Sequence, residues 1–199
     1  MNPIDFYFDF SSPYGYLASI QIDALALRHG RKVTWRPFLL GAAFKETGQR
    51  PLVEQALRGP YHYRDFARSA RLLGVPFRLP EPFPFASLAA CRAFYWLCDG
   101  DPAAARGLAQ ALYRTAFAEG RPIAAVDDVV AVAGPLGIAG DALRQAVEDP
   151  AVKARLRQET EQAIASGVFG SPFIIVDDEP FWGSDRLPQV ERWLMTGGW

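Results

Sequence analysis

The sequence predicts an α/β protein whose small sheet is assembled from both ends of the chain, with a long all-helical block between them. Three observations predict it. Residues 4–10 (IDFYFDF) read as a strand, residues 13–28 as a helix and residues 32–38 (KVTWRPF) as a second strand, a β-α-β unit expected to be right-handed and parallel. From about residue 61 to 166 the chain carries helix signals and almost no strand signals. Strand character then returns in PFIIVDD (172–178) and PFWG (180–183), followed by a closing helix.

In the first strand Ile4, Phe6, Phe8 and Phe10 share one face, and Tyr7 lies on the other between Asp5 and Asp9. Ser12 suits an N-cap and Pro13 the first helical position, and Gly30 stops the helix with His29 in its last turn. In the second strand Val33 and Trp35 are expected to point inward. Residues 41–60 read as loop. A helix ending at Gly74 and a proline-rich connection, VPFRLPEPFPF, follow. Ser87 is expected to cap the next helix, Asp101-Pro102 opens another that stops at Gly120, and Asp127 opens a short one. Gly140-Asp141 and Pro150 open the last two of the block. Asp177, Asp178 and Glu179 read as the turn between two paired strands, and Ser184 as the cap of the final helix. A β-α-β unit completed by α-β-β-α is the thioredoxin arrangement. The expected domains are therefore 1–40 with 165–199 as a thioredoxin-like unit, and 41–164 as the helical insertion.

Composition excludes several classes of function. Of 199 residues 50% are hydrophobic and 22% charged, as in a folded globular chain. The formal charge is −1 and the Lys and Arg residues are scattered, so nothing argues for nucleic acid or an anionic membrane. No apolar run reaches the roughly 18 residues of a membrane span, and the start lacks the basic region of a signal peptide. A cytoplasmic protein is expected. Cys91 and Cys98 sit seven apart on one helix, about 10 Å, too far for a disulfide. They read as small buried hydrophobes, and there is no C-x-x-C for dithiol chemistry or metal. His29 and His62 are isolated and lack ligand spacing.

Four segments carry candidate chemistry. In DFSSPYG, Ser12 opens a helix, where free N–H groups and the dipole favour an anion. A hydroxyl there can donate to a bound thiolate, a charge-assisted bond of about 1.5–3 kcal/mol, equivalent to about one to two pKa units. Ser12 reads equally as a plain N-cap, and a nucleophilic role lacks a base and a G-x-S-x-G turn. In VFGSPFIIV, Pro172 starts a strand; a cis Ser171–Pro172 bond would bare the Ser171 backbone for an extended peptide, a trans one would be ordinary. In FWGSDRL, Ser184 and Asp185 suit a helix start, or the two ends of a zwitterion, with Asp185 on the ammonium. In FKETGQRP and LRGPY, Lys45, Gln49, Arg50 and Arg58 form a solvated loop or a flap for carboxylates.

Together DFYFDFSSPYGYLA, FKETGQRP, YHYRDFARSARLLGVPFRLPEPFP and VFGSPFIIVDDEPFWGSDRL resemble the 2-hydroxychromene-2-carboxylate isomerases and kappa-class glutathione transferases, members of the DsbA-like branch. The resemblance runs in order over most of the chain and is most specific at its two ends. It implies glutathione as cofactor, with the family's catalytic serine at Ser12, followed by Pro13. The backbone of Ser171, before the family's cis-proline at Pro172, is implied to pair with the cysteinyl part. Ser184 and Asp185 are implied to hold the γ-glutamyl end. The family's loop asparagine falls on Gln49 and its lysine on Arg58, two departures from the pattern. The implied reaction is cis/trans isomerisation of an aromatic-derived α-keto acid by reversible thiolate addition. Phe44, Tyr61 and Phe85 are expected to line the substrate pocket, or else to belong to the core. A homodimer is implied. The rivals are a kappa-like transferase or peroxidase, a non-enzymatic binding module and, against the missing C-x-x-C, a DsbA-like oxidoreductase.

Overall fold

The computed structural model describes residues 3–199. Four strands form one sheet in the order β2-β1-β3-β4: β1 (Ile4–Phe8), β2 (Val33–Pro37), β3 (Phe173–Val176) and β4 (Glu179–Trp182). β1 pairs parallel to β2 and antiparallel to β3, and β3 pairs antiparallel to β4. The first and last segments of the chain therefore meet at the centre of the sheet, in the DsbA-like thioredoxin arrangement. β1, β2 and β3 are shorter than their sequence patterns, and β4 starts one residue earlier, at Glu179; Asp9 and Phe10 leave the ladder to begin the turn that carries Ser12.

Ile4, Phe6, Phe8 and Phe10 enter the main core, as their shared face requires. Phe6 stacks on Phe8 at 5.1 Å and Trp35 meets both rings edge-on. Phe10, Phe94 and Tyr113 extend this aromatic stack into the helices. The other face of the sheet is also covered: Tyr7 packs with Phe38, Ala43, Ala163, Val168 and Phe173. At its edge Arg36 binds Asp5 at 2.7 Å and reaches Glu159 at 3.5 Å, joining β1, β2 and α9 (Pro150–Ala165).

The single helix expected over 13–28 is two, α1 (Pro13–Ser19) and α2 (Ile22–Arg28). At the break the Ser19 hydroxyl donates to Tyr16 O and the Gln21 side chain to Leu17 O, so carbonyls at the end of α1 are met locally. The loop expected over 41–60 is largely helical: α3 (Leu40–Thr47), a 3-10 turn at Leu52–Glu54, and the start of α4 (Arg58–Leu72). The start of α3 has no local cap. Asp9 accepts from Leu40 N at 2.8 Å and Thr160 from Leu39 N at 3.2 Å, so the signals for this helix lie far away in sequence.

The helical block continues with α5 (Leu88–Cys98), α6 (Pro102–Phe117), α7 (Val126–Ala133) and α8 (Gly140–Glu148), and α9 completes it. Ser87 precedes α5 but makes no capping bond through its side chain. Ahead of α7 it is Asp128, not Asp127, that reaches back to the Ala125 N–H. Ser184 does not cap the last helix: Ser184–Arg186 forms a 3-10 turn, and α10 (Leu187–Thr196) follows. The proline-rich segment lays Phe77, Phe83 and Phe85 on Phe117 of α6. Among the described residues no helix is long and apolar enough to cross a membrane. Phe8 is fully buried where five aromatic rings meet, so Phe8→Ala is expected to cost about 3–5 kcal/mol in urea unfolding while leaving a folded chain.

Candidate active site

Ser12 stands where β1 hands over to α1. Its backbone is extended and its hydroxyl accepts from Gly15 N at 3.0 Å, the N-cap its position predicts. The same hydroxyl donates to Ser171 O at 2.8 Å, across 159 residues of sequence. Ser12 is 6% exposed and Ser171 9%. The Ser171–Pro172 bond is cis, as are Glu81–Pro82 and Phe83–Pro84.

Asp9 organises this turn. Its N–H donates to Ser171 Oγ at 2.9 Å. Its carbonyl accepts from Ser12 N and from the Tyr113 hydroxyl, both at 2.9 Å. One carboxylate oxygen takes the Ser11 N–H and hydroxyl, and the other takes Leu40 N. The side chain is buried and every donor it meets is fixed, so the turn has little freedom. Gly15 is required by proximity: a Cβ there would lie 2.4 Å from the Tyr113 hydroxyl and 3.2 Å from Ser171 Oγ.

The Ser184–Asp185 turn lies beside α1, tied to the cis-proline by Gly183 N donating to Pro172 O at 3.1 Å. Gly183 has φ 114, and a Cβ on it would strike the Asp185 carboxylate. Asp185 is exposed and holds Arg186 at 3.0 Å; Ser184 is half-buried. Arg58 is the first residue of α4. It follows Leu57, which is forced to φ 66 in a three-residue turn closed by Arg58 N donating to Ala56 O at 2.8 Å. A guanidinium at a helix N-terminus has the wrong sign for the dipole and the right sign for an anionic ligand. Arg58 also donates to Gln55 at 3.3 Å, and Gln49 is exposed just beyond Gly48, where α3 ends.

A cluster the sequence reading passed over joins α1 to α4. Tyr14 donates to Asp65 at 2.6 Å and meets His62 Nδ1 at 3.1 Å. Arg68 and Tyr61 donate to the second Asp65 oxygen, and Arg68 also lies over the Tyr61 ring. Burial, with the hydrogen bond to Asp65, drives the Tyr14 phenol far above its ordinary range, so it stays protonated. Since its one proton goes to Asp65, His62 Nδ1 carries the hydrogen in the Tyr14–His62 contact. Burial lowers the His62 pKa, opposed by Asp65 and reinforced by Arg58, which favours the neutral ring. His62 is therefore not isolated; its partner lies 48 residues away. Of the expected pocket aromatics, Phe44 is half-buried on α3, Tyr61 is exposed and bound to Asp65, and Phe85 packs on Phe83 and Phe117 against the core. Among the described residues no group of His, Cys, Asp and Glu could hold a metal.

A four-stranded thioredoxin core split by helices, with a buried serine at the start of α1 facing a cis-proline segment, defines a DsbA-like protein without redox cysteines. The DSBA-like thioredoxin domain model matches residues 3–194, and the chain belongs to that family. It is 32% identical over 197 residues to a 2-hydroxychromene-2-carboxylate isomerase of Sphingobium xenophagum, covering 96% of this chain and 97% of the relative. It is 28% identical over 204 residues to glutathione S-transferase kappa 2 of Caenorhabditis elegans, covering 96% and 91%. A solved 2-hydroxychromene-2-carboxylate isomerase superposes with a TM-score of 0.87 at 28% identity, covering 96% and 93%. These relatives, isomerases and transferases, make this chain one of a family of enzymes.

The Tyr14–Asp65 bond yields a pH prediction. Burial alone would raise the Asp65 carboxyl, but the Tyr14, Arg68 and Tyr61 donors outweigh it and hold it below its usual 3.8. A depressed carboxyl stabilises the fold above its unfolded pKa and loses that contribution as pH falls through the folded one. Tyr14→Phe is therefore expected to cost about 1–3 kcal/mol at neutral pH, and the gap from wild type should close below about pH 4 in urea unfolding.

Proposed function

We propose that the protein is a glutathione-dependent isomerase of the 2-hydroxychromene-2-carboxylate type, acting on an aromatic-derived α-keto acid. The observation that carries the reading is the buried Ser12 hydroxyl at the N-terminus of α1, in hydrogen-bond contact with the Ser171 carbonyl. The donor set fits the cofactor. A hydroxyl and a backbone carbonyl suit a cysteinyl thiol and its amide, a carboxylate at Asp185 suits an ammonium, and Arg58 at the positive end of α4 suits a carboxylate. Bound glutathione would supply a thiolate whose reversible addition to the conjugated double bond of the substrate permits rotation about that bond and leaves the thiol unconsumed.

The chain's own residues supply the rest. Ser12, with the N–H groups of the first turn, stabilises negative charge on sulfur, which none of the thiols of this chain could contribute: burial pushes both Cys91 and Cys98 up. Asp9 and Ser171 hold Ser12 in place. Ser184 and Asp185 bind the γ-glutamyl end, and Gln49 and Arg58 the glycyl end. Phe44 and Tyr61 line the substrate side; Phe85 supports it from the core. The homodimer, the cytoplasmic setting and the division into 1–40 with 165–199 and 41–164 belong to the same proposal.

Identity to a kappa-class transferase favours a second outcome at the same site, in which glutathione is consumed. Calorimetry with glutathione, together with the ultraviolet absorbance of its thiolate against pH, tests the shared step. Wild type is expected to bind and lower the thiol pKa by about one to two units, and Ser12→Ala to abolish the fall. Arg58→Ala is expected to weaken binding about tenfold or more, with Arg58→Lys recovering part of it. An absence of binding at millimolar glutathione would remove the cofactor from the reading. During turnover of 2-hydroxychromene-2-carboxylate, unchanged total glutathione marks the isomerase, and loss of it marks the transferase.

A further inference from the structure

The Ser12 hydroxyl has one proton, and that proton has two claimants. Ser171 O is a carbonyl and can only accept, so the 2.8 Å contact is Ser12 donating. Gly15 N–H occupies an Oγ lone pair and leaves the single O–H to point either at Ser171 O or at a bound group. Ser12 cannot donate to Ser171 O and to a sulfur at the same time. If the proton turns to a sulfur, the Ser171 carbonyl becomes a buried acceptor, and among the described residues it has no other donor. An unmet buried acceptor is costly, so the turn is opposed unless something else donates to Ser171 O.

We propose that the Ser171 carbonyl makes thiol activation conditional on an N–H carried by the thiol ligand itself. The ligand's N–H takes over Ser171 O, and the Ser12 proton released from it turns to the sulfur. The inference rests on the reading that a thiol binds at Ser12. It narrows the ligand class to thiols that carry an N–H three bonds from the sulfur, the spacing of a cysteinyl residue. That spacing suits two oxygens already in hydrogen-bond contact with each other. Simple alkyl thiols lack the donor and leave the proton on Ser171 O. The Asp9 N–H to Ser171 Oγ bond keeps Ser171 from withdrawing with Ser12, so the exchange needs only rotation of one hydroxyl.

The test compares glutathione with its ester analogue, in which oxygen replaces the cysteinyl amide N–H, using the whole protein. Thiolate absorbance against pH gives the bound thiol pKa and calorimetry the affinity. The expected result is a fall of about one to two units for glutathione, less than half that for the ester, and about tenfold weaker binding of the ester. In Ser12→Ala the difference in thiol pKa between the two ligands should vanish. Equal falls in wild type would overturn the inference and leave the glutathione reading standing. So would a loss of affinity beyond about a hundredfold, which exceeds the replacement of one hydrogen bond, or a pKa difference that persists in Ser12→Ala. Absence of any fall with glutathione itself would remove both.

Discussion

The hydrogen bonds that cross from the Asp9–Ser12 turn to Ser171 are the constraint on which the site depends. Asp9 N–H holds Ser171 Oγ, and Ser12 Oγ holds Ser171 O, so one residue from the C-terminal segment is gripped at two points. The sheet makes this possible: β1 lies between β2 and β3, which brings the end of β1 beside the start of β3. The rest of Asp9 ties in the helical block, through Tyr113 on α6 and Leu40 at the start of α3. The turn thus connects both ends of the chain to the helices between them. A buried polar network of this kind is rigid when every member is satisfied, and each bond in it is costly to leave half-made.

That rigidity bears on chemistry. A hydroxyl that is to stabilise a thiolate must be placed before the ligand arrives, because a donor that has to be ordered loses part of what it contributes. Ser12 is placed by Gly15 N on one side and Ser171 O on the other. Replacing the dithiol of a redox thioredoxin with Ser12-Pro13-Tyr14-Gly15 removes thiol exchange and keeps the anion-stabilising helix start. Tyr14 then becomes a strut. It links α1 to Asp65 on α4, the helix that begins at Arg58, and so couples the hydroxyl at one end of the proposed ligand to the cation at the other.

The sequence made much of this legible where the cause is local. The alternation of Ile4, Phe6, Phe8 and Phe10 identified the central strand, Ser12-Pro13 the helix start, and Pro172 the beginning of a strand that ends in an acidic turn. What stayed hidden depends on partners distant along the chain. The helix at 40–47 is started by Asp9, 31 residues upstream, so nothing near Leu40 announces it. His62 is isolated in sequence, yet it meets Tyr14 48 residues away. Tyr113 reads as one more apolar helix residue until its hydroxyl is found 104 residues away on Asp9 O. For the serine before the cis-proline the sequence pointed only to its backbone; the structure shows that its side chain takes the Asp9 N–H.

Amide hydrogen exchange at Asp9 in Ser171→Ala tests the crossing most directly. The substitution removes one acceptor and leaves the backbone of both segments in place. The account predicts that Asp9 N–H, deprived of Ser171 Oγ, exchanges about tenfold faster or more, while the ladder amides of β1 keep their wild-type protection. An Asp9 amide as protected in Ser171→Ala as in wild type would mean that the Ser171 side chain does not hold Asp9, and would contradict the account.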